Sequence, residues 1–149
     1  MLKSKSNSSG QSLLEAVIAI GISTMVLVSL ITAVRFALAN AQYTRNKTQA
    51  TKYTQEAVEW LRSQRDLDWA TFYTYAQGSQ FCLNDLVVAS LTSQVACASG
   101  INITGTIFTR SATLTASGAD KVLVNVIVTW MQSSRTAQVT TDTYLVQYP

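Results

Sequence analysis

Few residues of this chain have side chains suited to catalysis or to the binding of a metal or cofactor. Its 149 residues include no histidine, and its glycines form neither a Gly-x-Ser-x-Gly sequence nor a phosphate-binding loop. Without histidine, the chain lacks the commonest metal ligand and the usual general base at neutral pH. We therefore predict that it is not an enzyme, with no catalytic residues, and that it holds no metal and no cofactor.

The two cysteines, Cys82 and Cys97, are too few for a four-ligand zinc site in one chain. In an exported domain, the simplest interpretation of such a pair is a disulfide. It would close a loop of about 16 residues and stabilise the fold by roughly 3 kcal/mol. Two buried thiols are the alternative. We predict the disulfide.

One carboxylate, Glu15, lies near the start of a long apolar stretch. A charged side chain at the centre of a bilayer costs roughly 2.5–3.5 kcal/mol, and less near an interface. A plain membrane anchor does not need such a residue, although Glu15 could simply lie among the headgroups at the end of the span. Asp66 and Asp68 could in principle hold Ca²⁺, but a loop with two carboxylates is usually only solvated.

Along the chain, the first predicted segment is a polar leader over residues 1–10. From Leu13 to Val34 the chain is almost continuously apolar. About 19 residues separate Glu15 from Arg35, and as a helix they span roughly 28 Å, close to the hydrocarbon thickness of a bilayer. The few Ser and Thr residues can hydrogen-bond to helix carbonyls, so they do not prevent insertion. We predict a transmembrane helix over residues 11–35.

The same helix is predicted to continue as an amphipathic segment over residues 36–66, because the only proline is Pro149. Apolar and amide side chains recur there at three- and four-residue steps and should pack on a domain. They are Ala50, Tyr53, Ala57, Trp60, Leu61 and Gln64. We expect one helix from about Ser12 to about Asp66.

Residues 67–149 have a different period and are predicted to form a globular antiparallel β domain with a connector loop. The connector, Trp69–Ser99, is expected to be irregular and to cover the helix with its aromatic residues, although an exposed adhesive patch is the alternative. Three β-rich runs follow, with hairpin connections at 117–120 and 132–135. They are Ile101–Ser117, Val122–Met131 and Ala137–Tyr148. The predicted fold is α+β: a long helix whose second half packs on a small antiparallel sheet of three or four strands.

The net charge of +3 is weak evidence for a polyanionic partner, because Lys3 and Lys5 lie in the leader. From Asp66 onwards the chain has three bases against five aspartates. A nucleic-acid surface would need basic residues clustered on one face of the domain. Nucleic acid is therefore not indicated as a direct partner.

Gly10 followed by Gln11-Ser12-Leu13-Leu14-Glu15, and then by some twenty apolar residues, resembles the prepilin leader of type IV pilins and pseudopilins. The stretch Glu56–Asp66 also resembles the helix end of minor-pilin-like proteins. The resemblance implies that a prepilin peptidase cleaves after Gly10 and that Gln11 becomes the methylated N-terminus. It further implies that Glu15 pairs with the N-terminal ammonium of a neighbouring subunit during assembly, where a buried lone charge would otherwise be costly.

The resemblance also implies the partners and the location: other pilin subunits in a homo- or heteropolymer, the peptidase and the membrane. The subunit would first cross the cytoplasmic membrane once, with its leader in the cytoplasm and its C-terminal domain outside. It would then enter an extracellular or periplasmic filament, and nucleic acid could bind to the assembled pilus. Gln11 replaces the usual Phe and the apolar half lacks a proline, which favours a minor pilin or a pseudopilin over a major pilin. We predict a minor pilin. The alternatives are a type II secretion pseudopilin and, in another class, a solitary anchored or secreted binding domain.

Two features oppose this interpretation. Ala37-Leu38-Ala39 and Ala39-Asn40-Ala41 have the form of a signal-peptidase site, although an apolar run of about 19 residues exceeds the 7–15 typical of a signal sequence. Four bases follow the apolar run within about 20 residues, which counts against a cytoplasmic N-terminus. We give more weight to the predicted disulfide, which needs an oxidising space, and to the cytoplasmic leader that prepilin processing requires.

Overall fold

The computed structural model describes residues 9–93, 96–98 and 100–147. These residues divide into two compact units with a boundary between Gln42 and Tyr43. The fold is α+β, as predicted: a long N-terminal helix and a four-stranded antiparallel sheet packed against its second half. The elements are α1 (Ser9–Leu67), α2 (Trp69–Thr74), β1 (Gln77–Cys82), α3 (Val88–Thr92), β2 (Phe108–Ala116), β3 (Lys121–Gln132) and β4 (Arg135–Val146).

Helix α1 is continuous over 59 residues, close to the predicted bounds. No proline interrupts it, and Asp68 ends it by adopting an extended conformation (φ −157°) that also begins α2. Ser9 and Gly10, the last two residues of the predicted polar leader, already belong to its first turn. The remainder of the predicted leader, residues 1–8, lies outside the described residues.

The sheet is a meander in the order β1-β2-β3-β4, in which each strand is antiparallel to the next. Both predicted hairpin connections are confirmed. Residues 117–120 join β2 to β3, and Ser133 and Ser134 form a two-residue turn between β3 and β4. Ser133 has a positive φ of 57°, which the tight turn requires.

The prediction of an irregular connector over Trp69–Ser99 is wrong. This region contains α2, the edge strand β1 and the short helix α3. Strand β1 has a glycine and no clear alternation, so it becomes a strand through its pairing with β2 rather than through local preference. The predicted run Ile101–Ser117 was also too long, because β2 begins only at Phe108. Tyr148, the predicted end of the last strand, lies outside the described part of the chain.

The core lies between the second half of α1 and one face of the sheet. Ala57, Val58 and Leu61 of the helix are buried against alternate residues of the central strands, such as Leu114 and Val124. The predicted stripe is confirmed at Ala57 and Leu61, whereas the burial of Val58 was not predicted. The connector aromatics belong to the same core: Phe72 is buried, and Trp69, Tyr73 and Tyr75 are partly buried against it, as is Trp60 of α1.

Candidate functional site

The predicted processing residues lie at the start of α1. Gly10 and Gln11 have helical backbones, and Glu15 follows Gln11 by four residues, about one helical turn. The structure therefore places the three residues of the predicted processing and assembly site on one short helical segment.

Glu15 is exposed and surrounded in the sequence by apolar residues that are exposed as well. Among the residues that the structure describes, no basic group forms an ion pair with its carboxylate. A carboxylate in an apolar environment is costly unless a partner neutralises it. Any partner that neutralises Glu15 by an ion pair must therefore come from outside these residues.

Every residue from Ser12 to Arg45 is exposed, although most of those up to Val34 are apolar. Leu14, Val17 and Ile18, for example, keep more than half of their surface accessible. Among the described residues, α1 alone is long and apolar enough to cross a membrane, a criterion that a signal sequence near an N-terminus also meets. An apolar surface of this extent is stable only against lipid or other apolar surfaces.

The hydroxyl groups in the apolar run are hydrogen-bonded within the helix, as predicted. Ser23, Ser29 and Thr32 each donate to the carbonyl oxygen four residues earlier at 2.8 Å, and Thr24 donates to Gly21 at 2.8 Å. These bonds remove the cost of placing a free hydroxyl in hydrocarbon. The Ser and Thr side chains of the apolar run therefore do not oppose insertion.

The predicted disulfide is present in the second unit. Cys82, at the end of β1, and Cys97 are joined by an S–S bond of 2.10 Å with their Cα atoms 4.7 Å apart. The Sγ atom of Cys97 also lies 3.2 Å from the carbonyl oxygen of Arg110 in β2. The bond closes the segment that contains α3 and holds it against the sheet.

Arg110 is the residue that sequence reasoning missed. In the sequence it is only one of the three bases from Asp66 onwards, with no predicted role, but its side chain is only 2% exposed. Its guanidinium donates to Glu56 Oε2 at 2.8 Å, to the carbonyl of Tyr53 at 3.1 Å and to that of Leu83 at 2.7 Å. The side-chain oxygen of Asn84 accepts from its backbone N–H at 2.7 Å. Arg110 thus joins helix, connector and sheet.

A signal for this role was present in the sequence. Residues Phe108, Ala112 and Leu114 alternate with polar residues along β2, and all three face the core. Arg110 lies in the same alternation, so its position predicts an inward side chain. An inward arginine in turn requires acceptors on the facing elements.

Asp66 and Asp68, which could in principle hold Ca²⁺, have other partners. Asp66 forms an ion pair with Arg65 at 2.7 Å, and Asp68 caps α2 by accepting from the backbone N–H of Thr71 at 3.2 Å. The Thr71 hydroxyl also donates to Asp68, and these hydrogen bonds lower the pKa of its carboxyl. The described residues include no group of three or more acidic, His or Cys side chains that could hold a metal ion.

Comparisons with family models, with curated proteins and with solved structures found no match to this chain. What is known of its function therefore depends on its own residues.

Proposed function

We propose that this chain is a structural subunit, of the minor-pilin kind, of a type IV pilus-like filament. In this proposal a prepilin peptidase cleaves after Gly10, and Gln11 becomes the methylated N-terminus. The apolar run holds the subunit in the membrane until it is assembled, and the sheet forms the exposed part of the filament.

The observation that carries the proposal is the combination of Glu15 with an exposed apolar helix. The run of apolar residues up to Val34 is accessible along its whole length, and a single carboxylate lies at its start. Neighbouring copies of the same run would bury that apolar surface together. A lone buried charge is costly, so a partner that is supplied only by assembly would favour the correct register.

The N-terminal ammonium of a neighbouring subunit is the proposed partner. Cleavage after Gly10 would create a positive charge at Gln11, one helical turn from Glu15. Within one chain, the Gln11 ammonium and the Glu15 carboxylate would both lie in the first turns of α1. In a neighbour shifted along the filament axis, the ammonium could approach Glu15 at close range. A type II secretion pseudopilin would use the same chemistry and is the alternative within this class.

A solitary secreted domain is the candidate from another class, and one observation favours it. Both buried clusters consist of residues from Ala50 to Leu145, all in the second unit. The boundary of that unit lies one residue after Ala39-Asn40-Ala41. Cleavage at this small-x-small sequence would release a domain with its core complete.

N-terminal sequencing with intact-mass measurement distinguishes these functions. The chain is expressed in cells that have a prepilin peptidase and is purified from both the membrane and the medium. The proposal predicts a methylated Gln11 start in the membrane or filament fraction. A Gly10→Ala variant blocks prepilin processing and serves as the matched control, since it should keep Met1. A start at Asn40 or Gln42 in the medium would replace the filament proposal with the secreted domain.

A further inference from the structure

The basic residues of the described chain fall into two groups. Arg62, Arg65 and Arg110 each have a carboxylate oxygen within 2.8 Å. The other described bases have no ion-pair partner among the described residues. They are Arg35, Arg45, Lys47, Lys52, Lys121 and Arg135.

Most of the unpaired bases follow the apolar run directly in the sequence. Between Glu15 and Glu56 the chain has four basic residues and no acidic one. Such a cluster hinders the transfer of the following segment across a membrane. The proposed topology nevertheless places these four bases outside the cytoplasm. This suggests that they have a binding partner on that side of the membrane.

The fold brings a further base, Arg135, to the end of the domain that carries Arg45 and Lys47. The turn between β3 and β4 packs against the first residues of the second unit: Asn46 donates to the side chain of Gln132 at 3.0 Å, and Tyr43 lies 6.2 Å from Trp130 between ring centroids. Gln132 pairs with Arg135 across the turn. Arg135 therefore lies at the end of the domain from which Arg45 and Lys47 project.

This surface combines charge with exposed apolar groups. We call it the hairpin end and define it by Tyr43, Arg45, Lys47, Met131 and Arg135. All five are exposed, Tyr43 by 41% and Met131 by 60%. Basic groups beside an aromatic ring and a flexible apolar side chain match the headgroup region of a bilayer, where phosphates lie above the first methylene groups.

We propose that the hairpin end binds the anionic phospholipid headgroups of the membrane that the apolar run spans. The bound lipid would hold the domain at the bilayer surface before assembly. Chain connectivity supports this occupant, because Arg45 follows Arg35 by only ten residues and is tethered near the membrane once the run has inserted. The inference rests on the membrane anchoring that is part of the proposed function.

The test uses the full chain with Cys82 and Cys97 oxidised, floated with vesicles. The vesicles contain either phosphatidylcholine alone or an equal mixture with phosphatidylglycerol. A Met131→Cys variant carries a polarity-sensitive fluorophore at the hairpin end. A Tyr144→Cys variant carries the same label at an exposed position near the other end of β4, where it pairs with Leu123.

The expected result is a blue-shifted emission from position 131 in the anionic vesicles only, reversed by high salt because the charges are screened. A basic residue near an anionic surface is worth about 1 kcal/mol. Arg45→Gln with Lys47→Gln should therefore lower the ratio of membrane-bound to free hairpin ends, measured from the emission at position 131, by up to about 30-fold. Arg62→Gln with Lys121→Gln removes the same net charge and should leave that ratio unchanged. The label at position 144 should not respond.

Each contrary outcome has a distinct meaning. Equal emission in both vesicle types, or equal losses in the two double variants, would overturn the lipid proposal alone, provided that the chain floats with both vesicles. Failure to float with either would overturn the membrane anchoring and this proposal together. Duplex DNA that binds through Arg45 and Lys47, with no lipid dependence at position 131, would assign the surface to nucleic acid instead.

Discussion

Arg110 and Glu56 form an ion pair of 2.8 Å between the sheet and the helix, although they are 54 residues apart in the chain. The two partners differ in exposure: the side chain of Arg110 is 2% accessible, whereas that of Glu56 is 54% accessible. The arginine is the buried partner and also donates to carbonyl groups of Tyr53 and Leu83. The pair therefore fixes how the connector and sheet dock on α1.

Arg110→Ala should lower the free energy of unfolding by about 3–5 kcal/mol, because it leaves buried carbonyls without donors and opens a cavity. Glu56→Ala should cost less, about 1–3 kcal/mol, since Arg110 keeps its carbonyl acceptors. Chemical denaturation of the full chain in detergent, followed by tryptophan fluorescence, measures both values.

Glu59→Ala is the matched control for Glu56→Ala, since Glu59 also pairs with an arginine of the chain, Arg62, but both side chains are well exposed. Its cost should stay below about 1 kcal/mol. If Glu56→Ala were no more destabilising than Glu59→Ala, the pair with Arg110 would have no structural role.

Glu15→Gln should leave membrane insertion intact, because it removes a charge from an apolar segment. If the chain assembles as proposed, Glu15→Gln should lower its incorporation into filaments by at least about 30-fold, the equivalent of about 2 kcal/mol for a buried pair that loses one partner. Quantitative blots of membrane and sheared-filament fractions measure the two effects separately. Glu59→Gln, an exposed acid of the same helix, is the control. Normal incorporation of Glu15→Gln would exclude the pairing role.

Loss of the disulfide should destabilise the second unit by about 3 kcal/mol in the chain-entropy view of cross-links. Cys82→Ser combined with Cys97→Ser should show this loss, and reduction of the unmodified chain should reproduce it. Amide exchange should increase first in β1 and α3, the elements nearest the bond. Two free thiols in the unreduced, unfolded chain would contradict the prediction.

The cap at Asp68 predicts a dependence on pH. The hydroxyl and the N–H of Thr71 hold the pKa of this carboxyl below its ordinary value of 3.8. A carboxyl whose pKa is lowered in the folded state stabilises the protein at any pH above its pKa in the unfolded state. This stabilisation is lost as the pH falls through the pKa of the folded state. Thr71→Val should therefore lower the melting temperature at about pH 7, and this loss should become smaller as the pH falls through the pKa of the folded state. A loss that stays the same size over this range would show that the ionised cap is not responsible.

The strongest local patterns predicted the fold well. Periodicities within a few residues predicted the apolar run and the continuous helix. They also predicted the stripe through Ala57 and Leu61 and the alternating strand around Val124. The structure of the connector could not be predicted in this way, because β1 is stabilised by pairs such as Phe81 with Ala112, which lie far apart in the sequence. Local preference carries little information about such a strand.

The residue order alone was enough to identify the two cysteines that could form the disulfide and the carboxylate at the start of the apolar helix. Two cysteines allow only one pair within the chain, and a charge in an apolar run stands out without any coordinates. In contrast, the burial of Arg110 against Glu56 and the grouping of Arg135 with Arg45 and Lys47 at one surface became apparent only from the folded domain. Both depend on how the sheet docks on the helix, and that geometry is set by contacts between residues distant in the chain.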